Sequence, residues 1–232
     1  SIPSVWATEN AMLAAIGAKG VTTVSNAARE PEIVDLQAFL QKLGASVHGA
    51  GTSTVVIEGA EEPLHGCCHR ILGDRIAAAT YLAAAAASGG DIFLRDVDYR
   101  HLSTVTGVLR QAGCGLVCRD DGIRLTSDGH LRAVSPIRTA PYPGFPTDAQ
   151  AVLMASLLRS SGTTVFVENI FESRYRHVPE LVRMGADIRL EGRVAVVCGV
   201  DRLHAARVRA MDLRGGDALV IAGLQAHGVT TV

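Results

Sequence analysis

The chain reads as an α/β protein assembled from one repeated unit, and three observations lead to that reading. Polar or acidic helix openings recur at Glu9, Asp74, Asp148 and Asp217, which lie 65, 74 and 69 residues apart (74−9, 148−74, 217−148). Regular spacing of that kind marks an internal repeat. After each opening the segments follow one order: helix, strand, helix, strand, strand. The first helix of each unit is rich in alanine, and aromatics are 4% of a chain that is 48% hydrophobic. Small side chains must therefore fill the interior, which suits close helix packing.

In the first unit, Thr8-Glu9-Asn10 opens a helix over 8–18 that stops near Gly20. Val21–Val24 is a β-branched strand. Pro31 suits the first turn of a second helix, in which Ile33, Leu36, Phe39, Leu40 and Leu43 recur at helical spacing before Gly44. Ser46–Val47 and Thr54–Ile57 flank Gly49-Ala50-Gly51, a hairpin signal. Ahead of the unit, Ser1–Val5 reads as a strand.

The second unit places helices at about 74–88 and 101–112, a strand at Ile92–Leu94 and a hairpin turn at Asp121-Gly122. The third has a helix after Thr147, a strand at Thr163–Val167, a helix through His177–Met184 and a turn at Glu191-Gly192. In the opening Phe145-Pro146-Thr147-Asp148, Thr147 or Asp148 is expected to accept hydrogen bonds from the first free amides. A fourth copy opens at Gly216-Asp217 and reaches Val229–Val232, which repeats Val21–Val24 and reads as its counterpart strand. The charged, turn-rich stretch Gly59–Gly73 is the expected domain boundary.

Bulk properties exclude several classes of function. The formal charge is −1 with scattered basic residues, so there is no electrostatic footprint for nucleic acid. The longest largely apolar run, Ala77–Ala87, is about half a membrane span. A soluble, cytoplasmic chain without membrane partners is expected. Cys67, Cys68, Cys114, Cys118 and Cys198 are odd in number and lack framework spacing, which favours reduced thiols. His65-Gly66-Cys67-Cys68-His69 has a metal-like look, but no second ligand pair is spaced to close a tetrahedron. It reads as a strand or linker, and neither metal nor cofactor is expected.

Ser4-Val5…Ala7-Thr8-Glu9-Asn10, Ala28-Arg29-Glu30-Pro31-Glu32-Ile33-Val34-Asp35 and Phe145-Pro146-Thr147-Asp148 resemble the enolpyruvyl transferase family. Phe171-Glu172…Arg174…His177-Val178-Pro179-Glu180-Leu181 and Asp212-Leu213-Arg214 point the same way, and the motifs run in order through the chain. The resemblance implies an inside-out α/β barrel built of repeated βαβαββ units, incomplete in this chain, with the alanine-rich helices at the centre. Residues 1–70 would be the last unit of a first domain. Residues 71–232 would be two units and part of a third of a second domain.

The implied reaction moves the enolpyruvyl group of phosphoenolpyruvate to the 3-hydroxyl of UDP-N-acetylglucosamine, the entry to peptidoglycan synthesis. By the same resemblance Asp148 is the base, Arg174 and Arg214 lie near the phosphate and carboxylate of phosphoenolpyruvate, and Ser4, Val5 and Ile170 line the UDP-sugar site. Taken alone, Asp148 would read as a helix cap and the arginines as surface charges. The family has glycine where this chain has Trp6, and its reactive loop cysteine matches none of the five here. The remainder of the same enzyme is an expected partner, so the chain is read as an internal piece that is inactive alone. Two other readings stay open: a non-catalytic repeat module that binds a protein partner, and a shikimate-pathway relative.

Overall fold

A computed structural model describes residues 2–232. The chain divides into two compact units, residues 1–72 with 141–143 and residues 73–140 with 144–232.

The first unit contains α1 (Val5–Ile16), β1 (Val21–Ser25), α2 (Pro31–Lys42), β2 (Ser46–His48) and β3 (Thr54–Glu58). The strands form an antiparallel sheet in the order β1-β3-β2, with Val21 opposite Glu58 and Ser25 opposite Thr54. Pro31 occupies the start of α2 as expected. The hairpin needs glycine at position 49: φ is 93°, and a Cβ there would lie 2.3 Å from the Thr54 carbonyl oxygen. Met12, Ile33, Val47, Val55 and Ile57 form the core.

Two expectations fail at the start of this unit. Ile2–Ser4 form no strand (Ser1 lies outside the described residues), and α1 begins at Val5, not at Thr8. Ser4 is the cap, because its side chain accepts from the Ala7 amide at 3.3 Å. Thr8 sits one turn inside, where its hydroxyl donates to the Ser4 carbonyl and accepts from the Ala28 amide. Burial of α1 is also one-sided: Thr8, Met12, Ala15 and Ile16 face the core, while Trp6 and Leu13 are exposed.

The segment after β3 has no regular structure as far as Leu72, yet it is fastened to α2. The His69 Nε2 lies 3.0 Å from Asp35 Oδ1, its ring packs against Phe39, and the His65 amide donates to the Leu43 carbonyl. Cys67 and Cys68 are exposed, and all five cysteines are free thiols. Among the described residues no cluster of three or more His, Cys, Asp or Glu is placed to hold a metal.

The second unit opens with α3 (Arg75–Ser88), β4 (Gly90–Arg95), a 3₁₀ turn at Tyr99–Leu102, α4 (Ser103–Ala112), β5 (Gly115–Arg119) and β6 (Gly122–Ser127). It continues with β7 (Ile137–Arg138), α5 (Thr147–Ser156), β8 (Thr163–Val167), α6 (Val178–Arg183), β9 (Asp187–Glu191) and β10 (Val194–Cys198). Last come β11 (Leu203–His204), α7 (Leu213–Gln225) and β12 (Ala226–His227). Within this unit α3, α5 and α7 pack on one another. Three sheets flank them, ordered β4-β6-β5, β7-β8-β10-β9 and β11-β12.

Alanine explains the arrangement. Ala149, Ala151 and Ala155 of α5 are buried, and α3 buries six alanines, small side chains that let helices pack closely. The buried Gln225 amide closes one contact by donating to the Ala155 carbonyl at 2.9 Å. This is a repeated α/β fold with its alanine-rich helices inside. Among the described residues the strands remain separate sheets and close no barrel. Among the described residues no helix is long and apolar enough to cross a membrane.

The cap series needs correction. Asp74 caps α3 by accepting from the Ile76 and Ala77 amides at 2.8 and 2.9 Å. Thr147 and Asp148 cap nothing: Pro146 holds the cap position of α5, and no side chain bonds its leading amides. Asp217 lies inside α7, whose cap is Asp212, bonded to the Gly215 amide at 2.8 Å. The cap positions of the four central-type helices are thus residues 4, 74, 146 and 212, at spacings of 70, 72 and 66 (74−4, 146−74, 212−146). The repeat is real, but its helix starts differ from the acidic residues that revealed it. Replacing Asp74 with alanine is expected to lower stability by about 1 kcal/mol. Asp217→Ala, which removes no cap, should cost clearly less in the same urea titration.

Val229–Val232 is not the strand its identity with Val21–Val24 suggested. A strand exists through its partner, and β1 has β3. The second copy has only an isolated bridge between Thr231 and Arg207, while β12 forms earlier, parallel to β11.

Candidate functional site

The site lies in the second unit, where α5, α7 and the loop after β8 meet. Asp148 is the second residue of α5, so its carboxylate stands at the positive end of the helix dipole. Arg174 comes from the loop, and its Nη2 donates to Asp148 Oδ1. Arg214 is the second residue of α7, and its Nη2 lies 3.7 Å from Asp148 Oδ2. Its Nη1 reaches Asp217 Oδ2 at 3.6 Å, an i,i+3 pair. Two guanidiniums thus converge on one half-buried carboxylate. Arg174 is steadied from another side by the Phe171 ring, whose centroid is 5.1 Å from its guanidinium carbon.

The helix ends reach this point for local reasons. Thr147 is diverted from capping because its hydroxyl donates to Glu168, and Asp148 is diverted by the two arginines. The leading amides of α5 therefore remain without a side-chain acceptor, the usual preparation of a helix end for an anion. At α7, Gly215 lets the chain approach closely, since a Cβ there would sit 3.1 Å from the Cβ of His177.

Glu168 escaped the sequence reading. It is 1% exposed, and its carboxylate accepts four hydrogen bonds within 3.0 Å. Oε1 takes the Thr139 hydroxyl and the amides of Ile170 and Phe171, while Oε2 takes the Thr147 hydroxyl. A signal was present. Thr164, Phe166 and Glu168 alternate through and just beyond β8, and all three are buried, so period two places the glutamate on the inward face.

His177 is a second such residue. It is 1% exposed. Burial pushes its pKa down to about 4, opposed by the Asp212 charge, reinforced by the Arg174 charge and opposed again by a hydrogen bond with the Arg174 backbone. The imidazole is neutral at pH 7.

Of the residues read from the sequence, Asp148, Arg174 and Arg214 come together, and Ile170 lies in the same loop with its amide held by Glu168. Ser4 and Val5 belong to the first unit, as the cap and first residue of α1. Trp6 follows them and is 79% exposed.

Comparison with known proteins gives this geometry a setting. The family model described as EPSP synthase (3-phosphoshikimate 1-carboxyvinyltransferase) matches residues 1–232. The chain is 51% identical over 231 residues to UDP-N-acetylglucosamine 1-carboxyvinyltransferase 2 of Caldanaerobacter subterraneus subsp. tengcongensis, covering 100% of this chain and 55% of that protein. It is 50% identical to the UDP-N-acetylglucosamine 1-carboxyvinyltransferase of Zymomonas mobilis subsp. mobilis, covering 100% of this chain and 54% of that one. The chain thus spans about half the length of the curated relatives it matches.

Among solved structures, the enolpyruvyl transferase NikO from Streptomyces tendae superposes with a TM-score of 0.84 at 25% identity, over 95% of this chain and 52% of that one. An EPSP synthase from Acinetobacter baumannii has a TM-score of 0.73 at 20% identity, over 98% of this chain and 55% of that one, a likeness of fold. With a model matched over residues 1–232 and relatives half identical across the chain, this protein belongs to the enolpyruvyl transferase family that the EPSP synthase model describes.

Proposed function

We propose that this chain carries part of the active site of a UDP-N-acetylglucosamine 1-carboxyvinyltransferase, which moves the enolpyruvyl group of phosphoenolpyruvate to the sugar 3-hydroxyl and releases phosphate. The observation that carries the reading is the convergence of Arg174 and Arg214 on Asp148 at the uncapped start of α5. Addition to the enol double bond requires a proton delivered to the methylene carbon and one removed from the attacking hydroxyl. Asp148 is the group assigned to accept the hydroxyl proton.

Phosphoenolpyruvate brings a phosphate and a carboxylate. Planar guanidiniums bind such groups through two oxygens at once, and the Thr147 and Asp148 amides at the start of α5 add donors. Arg174 and Arg214 exchange part of their contact with Asp148 for the substrate anion, leaving the carboxylate available to the hydroxyl. Ile170 contributes an apolar wall to the sugar site.

The names of the relatives that are half identical to this chain favour the UDP-sugar acceptor over a shikimate-type one. Residues 1–70 are assigned to the last repeat of one domain and 71–232 to two repeats and part of a third of the other. Further polypeptide of the same enzyme supplies the rest of the site. The reading places the protein in the cytoplasm, at the start of peptidoglycan synthesis and hence in cell-wall growth and division. The test is phosphate release by the full-length enzyme from phosphoenolpyruvate, with and without UDP-N-acetylglucosamine. Release only when both are present is expected. Release with shikimate 3-phosphate in place of the sugar nucleotide, or none with either, overturns the proposal.

A further inference from the structure

We infer that Glu168 is a positioning residue that sets Asp148 and Arg174 in register; the inference rests on the function proposed above. Its four hydrogen bonds join three separate pieces of chain. Thr139 follows β7, Ile170 and Phe171 begin the loop that carries Arg174, and Thr147 begins the helix that carries Asp148. Among the described residues no cation pairs with the carboxylate, and its four donors are backbone amides and hydroxyls of these pieces.

The network continues one step beyond the carboxylate. The Thr139 hydroxyl that donates to Glu168 also accepts from the Asn169 amide at 2.8 Å, and the Asn169 side chain donates to the Thr139 carbonyl at 3.0 Å. Three successive amides, Asn169, Ile170 and Phe171, are thereby pinned to one buried point. Phe171 is the ring against which Arg174 packs.

The link that matters for chemistry is Thr147 Oγ1 to Glu168 Oε2 at 2.9 Å, because Thr147 adjoins Asp148. It couples the loop position to the helix start before any substrate arrives. A shift of about 1 Å between a base and the group that orients it can cost about a hundredfold in rate. A buried carboxylate satisfied by four short-range donors resists such a shift, since each lost partner leaves a desolvated polar group.

The test uses the full-length enzyme. Thr147→Val removes only the loop-to-helix link and is expected to lower kcat about tenfold to a hundredfold, with KM for UDP-N-acetylglucosamine changed less than about threefold. Thr147→Ser keeps the hydroxyl and should restore kcat. In an Asp148→Asn background the same Thr147→Val change should add less than about threefold, since residues acting as a unit are not additive. Glu168→Ala should speed exchange of the Ile170 and Phe171 amides at least about tenfold, the scale of one lost hydrogen bond to a charged group.

Full additivity with Asp148→Asn, or Thr147→Val at wild-type kcat, overturns the proposal. Should the wild-type enzyme fail to transfer enolpyruvate, the function reading falls. Amide exchange then decides the positioning role: unchanged protection of Ile170 and Phe171 in Glu168→Ala refutes it. Should Glu168→Ala not fold, exchange in Thr147→Val is read against Thr147→Ser in the same way.

Discussion

Asp148→Asn in the full-length enzyme is expected to lose between about a hundredfold and ten-thousandfold in turnover, the usual range for a general base, with its fold retained. The structure makes this substitution a clean test. Asp148 does not cap α5, so the change removes no capping bond. The asparagine carbonyl can still accept from Arg174, which keeps that loop near its place. What asparagine cannot do is accept a proton from the sugar hydroxyl. Loss of turnover with an unchanged melting temperature and little change in nucleotide-sugar affinity is the expected pattern. Turnover near wild type would take Asp148 out of the mechanism and leave it as the partner of two arginines.

The second large effect is a pH dependence of stability centred on His177. Its folded pKa of about 4 lies below the ordinary imidazole value of 6.5, so the unfolded chain binds its proton first as pH falls. The stabilisation is fully present above pH 6.5, declines between 6.5 and 4, and is lost below that. A depression of this size corresponds to about 3 kcal/mol in total, of which about 2 kcal/mol is lost between pH 7 and pH 5. Carboxylates titrate near the same window, so the informative quantity is the difference between wild type and His177→Gln. Denaturation curves at pH 7 and pH 5 should show the wild type losing more stability than the variant, by about that amount. Equal losses would mean that the ring meets its proton in the folded state without penalty.

Legibility varied along the chain for physical reasons. Where a rule is local, the sequence carried it. Pro31 starts α2, and Gly49 with φ 93° turns the first hairpin. Apolar spacing found α2, and Gly44 follows its end. Asp74 was a good cap in the sequence and is one in the structure.

Where a side chain had two possible employers, the local rule failed. Thr147 and Asp148 have cap chemistry, but Glu168 and the two arginines outbid the helix amides. Gly216-Asp217 reads as the opening of a helix. Instead the helix begins at Leu213, because Asp212 caps it and Gly215 makes room for His177.

What the sequence by itself determined was the repeat, the order of elements and the identity of the central helices. All three depend on residue type at short range: alanine where helices must touch, β-branched residues in strands, glycine at turns. Only the tertiary structure decided which residues meet. Arg174 is 26 residues from Asp148 and Thr139 is 29 from Glu168, distances over which no periodicity operates. Among the described residues Val-Thr-Thr-Val pairs with β3 at 21–24 and makes an isolated bridge from Thr231 to Arg207 at 229–232. Burial follows the same logic. Glu168 and His177 are ordinary polar letters until packing removes their water, and the hydrogen bonds of the one and the low pKa of the other come from that removal.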